Sequence, residues 1–98
     1  MDYQNGSFVW DVRKEAANIR KHGVDFRTAA RVFGDPKRKI YIDEKHSQEE
    51  ERFFCLGSVG GGILTVRFSY REGLIRIYGA GYWRKGRQCY YEKENPRD

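Results

Sequence analysis

The fold is decided by the stretch ILTVRFSYREGLIRIYGA, residues 63–80. Two alternating runs flank Glu72-Gly73, and a two-residue connection containing glycine between such runs predicts a tight β-hairpin. Away from the turn, the predicted register pairs Arg71 with Leu74, Tyr70 with Ile75, Ser69 with Arg76, Phe68 with Ile77 and Arg67 with Tyr78. Opposed side chains share a face and faces alternate along a strand, so this register assigns each of these residues to one of two faces.

The two predicted faces differ in chemistry. The apolar face, which we expect to meet the core, collects Val66, Phe68, Tyr70, Ile75 and Ile77. The other face is basic and collects Arg67, Ser69, Arg71, Arg76 and Tyr78. Guanidinium groups beside an aromatic ring and a hydroxyl indicate a polyanion ligand, and RNA is the ligand that we expect.

The composition fits one folded domain, residues 1–98. A hydrophobic fraction of 39% and an aromatic fraction of 15% are too high for a disordered chain. The net charge of +5 and a sequence pI near 9.4 favour nucleic acid as a partner, although an ordinary surface with a positive surplus gives the same numbers.

The sequence predicts a cytoplasmic protein. No apolar run reaches the length of a membrane span, and the first residues lack the features of a signal peptide. Cys55 and Cys89 are too few for a disulfide scaffold, which favours a reducing compartment. The two histidines are too isolated to form a zinc site with these cysteines, so we expect no metal.

The rest of the chain predicts helices around the hairpin. Asp11 is a good N-cap for a helix that ends before Gly23, and its predicted buried stripe is Val12, Ala16 and Ile19. A second helix follows Asp25, short strands cover residues 39–43 and 52–58, and a last helix covers residues 82–94. The predicted fold is α+β: two N-terminal helices, a small antiparallel β-sheet and a C-terminal helix, with the helices on one face.

Several short motifs occur in a specific order: WD at 10–11, KHGVDF at 21–26, AARVFGDP at 29–36, HSQEEERF at 46–53, VRFSYREGLIRIY at 66–78 and YYE at 90–92. In this order and spacing they resemble the BrnT family, the toxin half of a type II toxin–antitoxin pair. The resemblance implies a RelE-like fold, a ribonuclease activity that arrests translation, and no metal or other cofactor. It also implies a BrnA-like antitoxin, a heterotetramer with two copies of each protein, and contact with DNA only through the antitoxin.

One segment departs from the family pattern. Where the family usually has Ile-Ser-Ala-Arg at the end of the last strand, this chain has Tyr78-Gly79-Ala80-Gly81. A hydroxyl and a guanidinium that the resemblance would assign to the active site are therefore absent.

RNA cleavage without a metal needs charge stabilisation on the phosphoryl oxygens and two proton transfers. The guanidinium fork matches phosphate oxygens, so the expected catalytic set is Arg71, Arg76 and Arg52, with His46 and Tyr78 for proton transfer. The expected RNA-binding set is Lys21, His22, Arg67, Tyr82, Arg84 and Lys85. Helix capping is an alternative explanation of His22, and stacking on bases is an alternative role for both tyrosines.

Three functions remain open from the sequence. The first is a ribonuclease toxin. The second is a catalytically impaired module of the same fold that binds RNA or only its antitoxin, which Gly79 and Gly81 favour. The third is a structural partner whose apolar groove receives an antitoxin helix through Trp10 or Trp83.

Overall fold

The computed structural model describes residues 1–92. Its helices and strands are, in chain order, β1 Asp2–Asn5, β2 Phe8–Asp11, α1 Val12–His22, α2 Phe26–Ala30, β3 Lys39–Ile42, β4 Phe53–Val59, β5 Gly62–Arg71, β6 Leu74–Gly81 and α3 Arg84–Tyr91. Short 3-10 helices, Arg31–Gly34 and Glu44–His46, follow α2 and β3. No helix in the described part of the chain is long and apolar enough to cross a membrane.

The α+β class is confirmed, but the predicted sheet is wrong in two respects. The six strands form one mixed sheet in the order β1-β2-β6-β5-β4-β3, and β2 runs parallel to β6. A β1–β2 hairpin also precedes the first helix. Strand β1 was not predicted because its sequence, DYQN, is polar and every residue of it is exposed. The expected likeness to the RelE fold and the single domain stay predictions.

The central hairpin follows the predicted register as far as Phe68. Four predicted pairs are confirmed, and the turn residues Glu72 and Gly73 have positive φ, as a tight hairpin turn requires. The fifth pair is wrong: Arg67 lies opposite Gly79, because a β-bulge between Arg67 and Phe68 adds one residue to β6. The extra residue is Tyr78.

Helices cover both faces of the sheet, so the predicted one-sided arrangement is wrong. The main core lies between α2 with its following 3-10 helix and the apolar hairpin face, and it includes Phe26, Ala29, Val32, Leu64, Val66, Phe68 and Ile77. Helix α3 packs on the opposite face, against Thr65 and Leu56. A Cβ on Gly86 would lie only 1.9 Å from the Thr65 Oγ1, so glycine permits this close approach.

Helix α1 lies beside β6, where β2 no longer pairs with that strand. Its caps are as predicted: the Asp11 side chain accepts from the Arg13 N–H, and Gly23 is left-handed. The predicted buried stripe is wrong, since Val12 and Ile19 are 39% and 45% exposed. Asn18 is buried instead, because its amide donates to the Ala80 carbonyl (2.9 Å) and accepts from the Ala80 N–H (3.1 Å). This side chain replaces the hydrogen bonds of a neighbouring strand.

The last helix is shorter than predicted. It begins at Arg84 rather than at residue 82, and the predicted end at residue 94 lies outside the described residues. The Lys39 ammonium donates to the carbonyls of Cys89 (3.0 Å) and Glu92 (2.6 Å). A cation at a helix C-terminus satisfies carbonyls that lack partners within the helix, and here it also ties α3 to β3.

Candidate functional site

A small cationic pocket lies on the hairpin face opposite the main core. Its volume is about 150 Å³, and it is lined by Lys14, Asp43, His46, Arg52, Arg67 and Tyr78. These side chains come from α1, the segment after β3, the residue before β4, and the central strands β5 and β6. Four can carry positive charge against one carboxylate, so the pocket favours an anion.

Arg52 stacks on the ring of Tyr78, and both residues line this cationic pocket. Its guanidinium carbon lies 3.8 Å from the ring centroid, a close cation–π contact. Among the described residues, the buried Nε of Arg52 has no hydrogen-bond partner. A buried N–H without an acceptor is costly, and an anion in the pocket would supply that acceptor.

The Tyr78 hydroxyl is held by a short hydrogen-bond network. It lies 3.0 Å from the Oγ of Ser69, which is fully buried, and donates to the Glu50 Oε2 at 3.4 Å. Arg71 in turn donates to the Glu50 Oε1 at 2.8 Å. Hydrogen bonds from Arg71 and Ser69 lower the pKa of Glu50 to about 2. Glu50 is therefore a carboxylate at neutral pH, and it orients the Tyr78 phenol by accepting a hydrogen bond from it.

His46 is oriented by a carboxylate. Its Nδ1 lies 2.9 Å from the Oδ2 of Asp43, which is 6% exposed, whereas the side chain of His46 is 56% exposed. If Nδ1 carries the proton and donates to Asp43, Nε2 is left to exchange a proton with a ligand. The sequence pattern does not explain why a histidine lies at position 46, whereas the structure places it beside the Asp43 carboxylate.

Arg67 occupies the space that a side chain at position 79 would need. A Cβ on Gly79 would lie 2.8 Å from the Arg67 Nη2, and one on Gly81 would lie 2.6 Å from the ring of Trp83. The two glycines that depart from the family pattern are thus the positions where a guanidinium and an indole pack against the backbone. The Arg67 guanidinium therefore occupies the space of the serine hydroxyl that the family pattern has at position 79.

Arg71 and Arg76, the first choices from the sequence, are on the expected face but lie outside the pocket lining. Arg71 is paired with Glu50. Arg76 makes a two-pronged contact with Asp2, at 3.0 and 2.8 Å, which lowers the pKa of this carboxyl group. Both guanidinium groups are therefore neutralised by neighbouring carboxylates. Arg52, His46 and Tyr78 are the expected catalytic residues that the structure brings together.

Of the expected RNA-binding residues, the structure places only Arg67 in the pocket lining. His22 packs edge-on against Trp83, with ring centroids 5.1 Å apart, and Tyr82 donates to the Val59 carbonyl. Lys21 is exposed in the last turn of α1, and Arg84 and Lys85 are exposed at the start of α3.

Sequence reasoning missed two pocket residues, Lys14 and Asp43. The Lys14 ammonium lies 5.9 Å from the Tyr78 ring centroid. Asp43 precedes His46 by three residues, a spacing that could have pointed to the pair. In residues 1–92, no three His, Cys, Asp or Glu side chains come together as a possible metal site.

A cationic pocket on the sheet of a small α+β protein is a site of the kind that binds nucleic-acid phosphates. The chain belongs to the family described as the ribonuclease toxin BrnT of type II toxin–antitoxin systems, whose model matches residues 10–86. This match includes every residue of the pocket and confirms the resemblance found in the motifs. Membership places the protein among the toxins of the ribonuclease class, which implies an RNA target and an antitoxin partner. A comparison with curated proteins found no match.

Proposed function

We propose that this chain is a metal-independent endoribonuclease that cleaves RNA in the cytoplasm and thereby arrests translation. The observation that carries the proposal is the cationic pocket, where Arg52, Arg67 and His46 surround the Tyr78 phenol. Cationic side chains can supply the positive charge that phosphoryl transfer needs without a metal ion.

In this proposal one RNA phosphate occupies the pocket. Arg52 and Arg67 bind its non-bridging oxygens, and the buried Arg52 Nε donates one of the hydrogen bonds. The guanidinium groups stay charged throughout the reaction, so they stabilise the extra negative charge as it develops on the phosphoryl oxygens. Lys14, which also lines the pocket, adds positive charge.

The reaction is an internal transfer at phosphorus. The 2′-hydroxyl gives up its proton and its oxygen bonds to phosphorus, while the bond to the 5′-oxygen breaks and that oxygen takes up a proton, which gives a 2′,3′-cyclic phosphate and a 5′-hydroxyl. We assign both transfers to the His46 Nε2, which accepts the proton of the 2′-hydroxyl and returns it to the 5′-oxygen, because Asp43 holds the other ring nitrogen. Tyr78, oriented by Glu50 and Ser69, hydrogen-bonds the phosphate or stacks on a base.

Family membership supports three further proposals about the partner of this toxin. We infer a BrnA-like antitoxin, a complex with two copies of each protein, and DNA binding through the antitoxin alone. The free thiols of Cys55 and Cys89 are consistent with a reducing cytoplasm.

A second candidate is a catalytically impaired module that binds RNA or the antitoxin without cleavage. Gly79 and Gly81 favour it, because they replace the usual serine and arginine. Phosphate contacts release counterions, so this module would show salt-dependent RNA affinity without cleavage products.

Incubation of the purified protein with end-labelled RNA in EDTA tests the proposal. We expect products with cyclic phosphate ends, and about a hundredfold slower cleavage by His46→Ala, the usual size of a lost general acid or base. Arg31→Ala, which removes an exposed cation outside the pocket, should cleave like the unmodified protein. Intact RNA at high protein concentration, with RNA binding retained, would establish the impaired module instead.

A further inference from the structure

An apolar groove separates α3 from the edge strand β3. Its volume is about 440 Å³. Tyr41 and Ile42 form one wall, Phe54 and Leu56 form the floor, and Trp83 and Cys89 form the wall on the α3 side. We name this feature the edge groove.

The edge groove leaves large apolar side chains in water. Ile42 and Tyr41 are 52% and 42% exposed, and β3 is the outermost strand on its side of the sheet. Single exposed apolar residues are common, but a contiguous apolar surface of this kind marks an interaction site. Engineered cavities of about 150 Å³ hold one benzene ring, so the groove has room for roughly three Leu- or Phe-sized side chains.

The α3 side of the edge groove is basic, and Lys85 belongs to its lining. Every charged side chain of α3 is cationic: Arg84, Lys85 and Arg87. On the opposite wall, Lys39 begins β3, and its ammonium is already bound to the carbonyls of Cys89 and Glu92. An apolar floor beside the cationic helix α3 complements a segment with an apolar stripe and an acidic flank.

The groove also adjoins the cationic pocket. Phe54 on its floor pairs directly with Arg67 of the pocket across β4 and β5. A segment seated in the groove would therefore end beside the proposed RNA site. Its acidic residues could neutralise Arg67 while its bulk excludes RNA.

We propose that the edge groove binds an amphipathic, acidic helix of the antitoxin. Side chains at positions i, i+3 or i+4, and i+7 of that helix fill the groove, and its carboxylates meet Lys85 on the α3 side and Arg67 beside Phe54. The proposal rests on the toxin–antitoxin part of the proposed function, but not on catalysis. An apolar floor favours a protein helix over RNA, whose phosphates gain nothing from such a surface.

The test uses calorimetry to measure the affinity of the purified cognate antitoxin for this protein. Tyr41→Glu places a negative charge on the groove wall, and Lys85→Glu reverses a charge on the α3 side. Each should weaken binding by about tenfold or more. Ile19→Glu changes an equally exposed apolar residue on α1 and should weaken it less than about twofold. Thermal unfolding identifies any variant that has not folded.

Unchanged antitoxin affinity in folded Tyr41→Glu and Lys85→Glu would overturn the proposal. A loss of RNA affinity in Tyr41→Glu, with antitoxin binding retained, would overturn it in favour of an RNA surface. Calorimetry does not depend on RNA cleavage. A toxin without activity would therefore contradict the ribonuclease proposal, and the antitoxin affinities would still test the edge groove. We expect the Tyr41→Glu protein to cleave RNA and to escape inhibition by equimolar antitoxin.

Discussion

Two pairs of arginines share one face of the sheet and differ in their partners. Arg71 and Arg76 each contact a carboxylate at 2.8 Å, whereas within the described residues Arg52 and Arg67 form no ion pair and line the cationic pocket. The carboxylates come from Glu50, 21 positions away in sequence, and from Asp2, 74 positions away. Strand register thus determines the face on which an arginine lies. Whether its charge is free to bind a ligand depends on carboxylates from segments that are distant in sequence.

The largest expected effect separates the two pairs. Arg52→Ala should slow RNA cleavage by about 10²–10³-fold, because it removes a preorganised donor from the pocket. Arg76→Ala should slow it by less than about tenfold, since a carboxylate already neutralises that guanidinium. Single-turnover rates on one labelled RNA provide the measurement. A larger loss of cleavage in Arg76→Ala than in Arg52→Ala would instead place the active site at Arg71 and Arg76, the first choices from the sequence.

The next prediction concerns the placement of Arg67. Gly79→Ser puts a Cβ 2.8 Å from the Arg67 Nη2, at the flexible end of a side chain, so the guanidinium moves and the fold persists. We expect about a tenfold loss of cleavage, within the range that small misplacements of catalytic groups produce. Gly34→Ser, at a glycine with open space around it, is the control. Faster cleavage by Gly79→Ser would mean that the missing hydroxyl limits this chain and would support the impaired module.

Much of the fold could be predicted from local chemistry. The Glu72-Gly73 turn fixes four strand pairs, and Asp11, Gly23 and Asp25 mark helix ends where the structure has them. These features depend on hydrogen bonds and backbone angles within a few residues. Strand β1 and the parallel pairing of β2 with β6 depend on contacts between distant segments, which no local pattern specifies.

The site could be predicted only in part for the same reason. Alternation placed Arg67 on the correct face, and the motifs pointed to Arg52 and His46. The partners of the arginines were not foreseeable, because Asp2 belongs to an unpredicted strand and Glu50 to a loop. Lys14 was missed because α1 was oriented by apolar periodicity, whereas Asn18 orients it through hydrogen bonds to the edge of β6.

The pairing of Arg71 can be tested by pH. Interactions with Arg71 and Ser69 lower the Glu50 pKa from its ordinary value of 4.5 to about 2. The stabilisation is therefore fully present above pH 4.5 and is lost as the pH falls towards 2. Glu50→Gln should melt below the unmodified protein at pH 7, and the two midpoints should converge as the pH falls to about 2. Glu44→Gln, at an exposed neighbour, is the control. A gap that stays constant from pH 7 to 3 would exclude this pairing.

The smallest expected effect comes from releasing Arg76. The Asp2 carboxylate is exposed to solvent, which weakens its ion pair with Arg76, so Asp2→Asn should raise RNA affinity by no more than about fivefold and make the affinity more dependent on salt. Glu49→Gln removes the same charge from an exposed position, so the difference between the two variants isolates the guanidinium. Filter binding at several salt concentrations measures both. Asp2→Asn could instead raise cleavage as much as Arg52→Ala lowers it. In that case Arg76 is a catalytic arginine that the Asp2 ion pair holds away from the substrate, and the two pairs of arginines differ only in whether a carboxylate is bound.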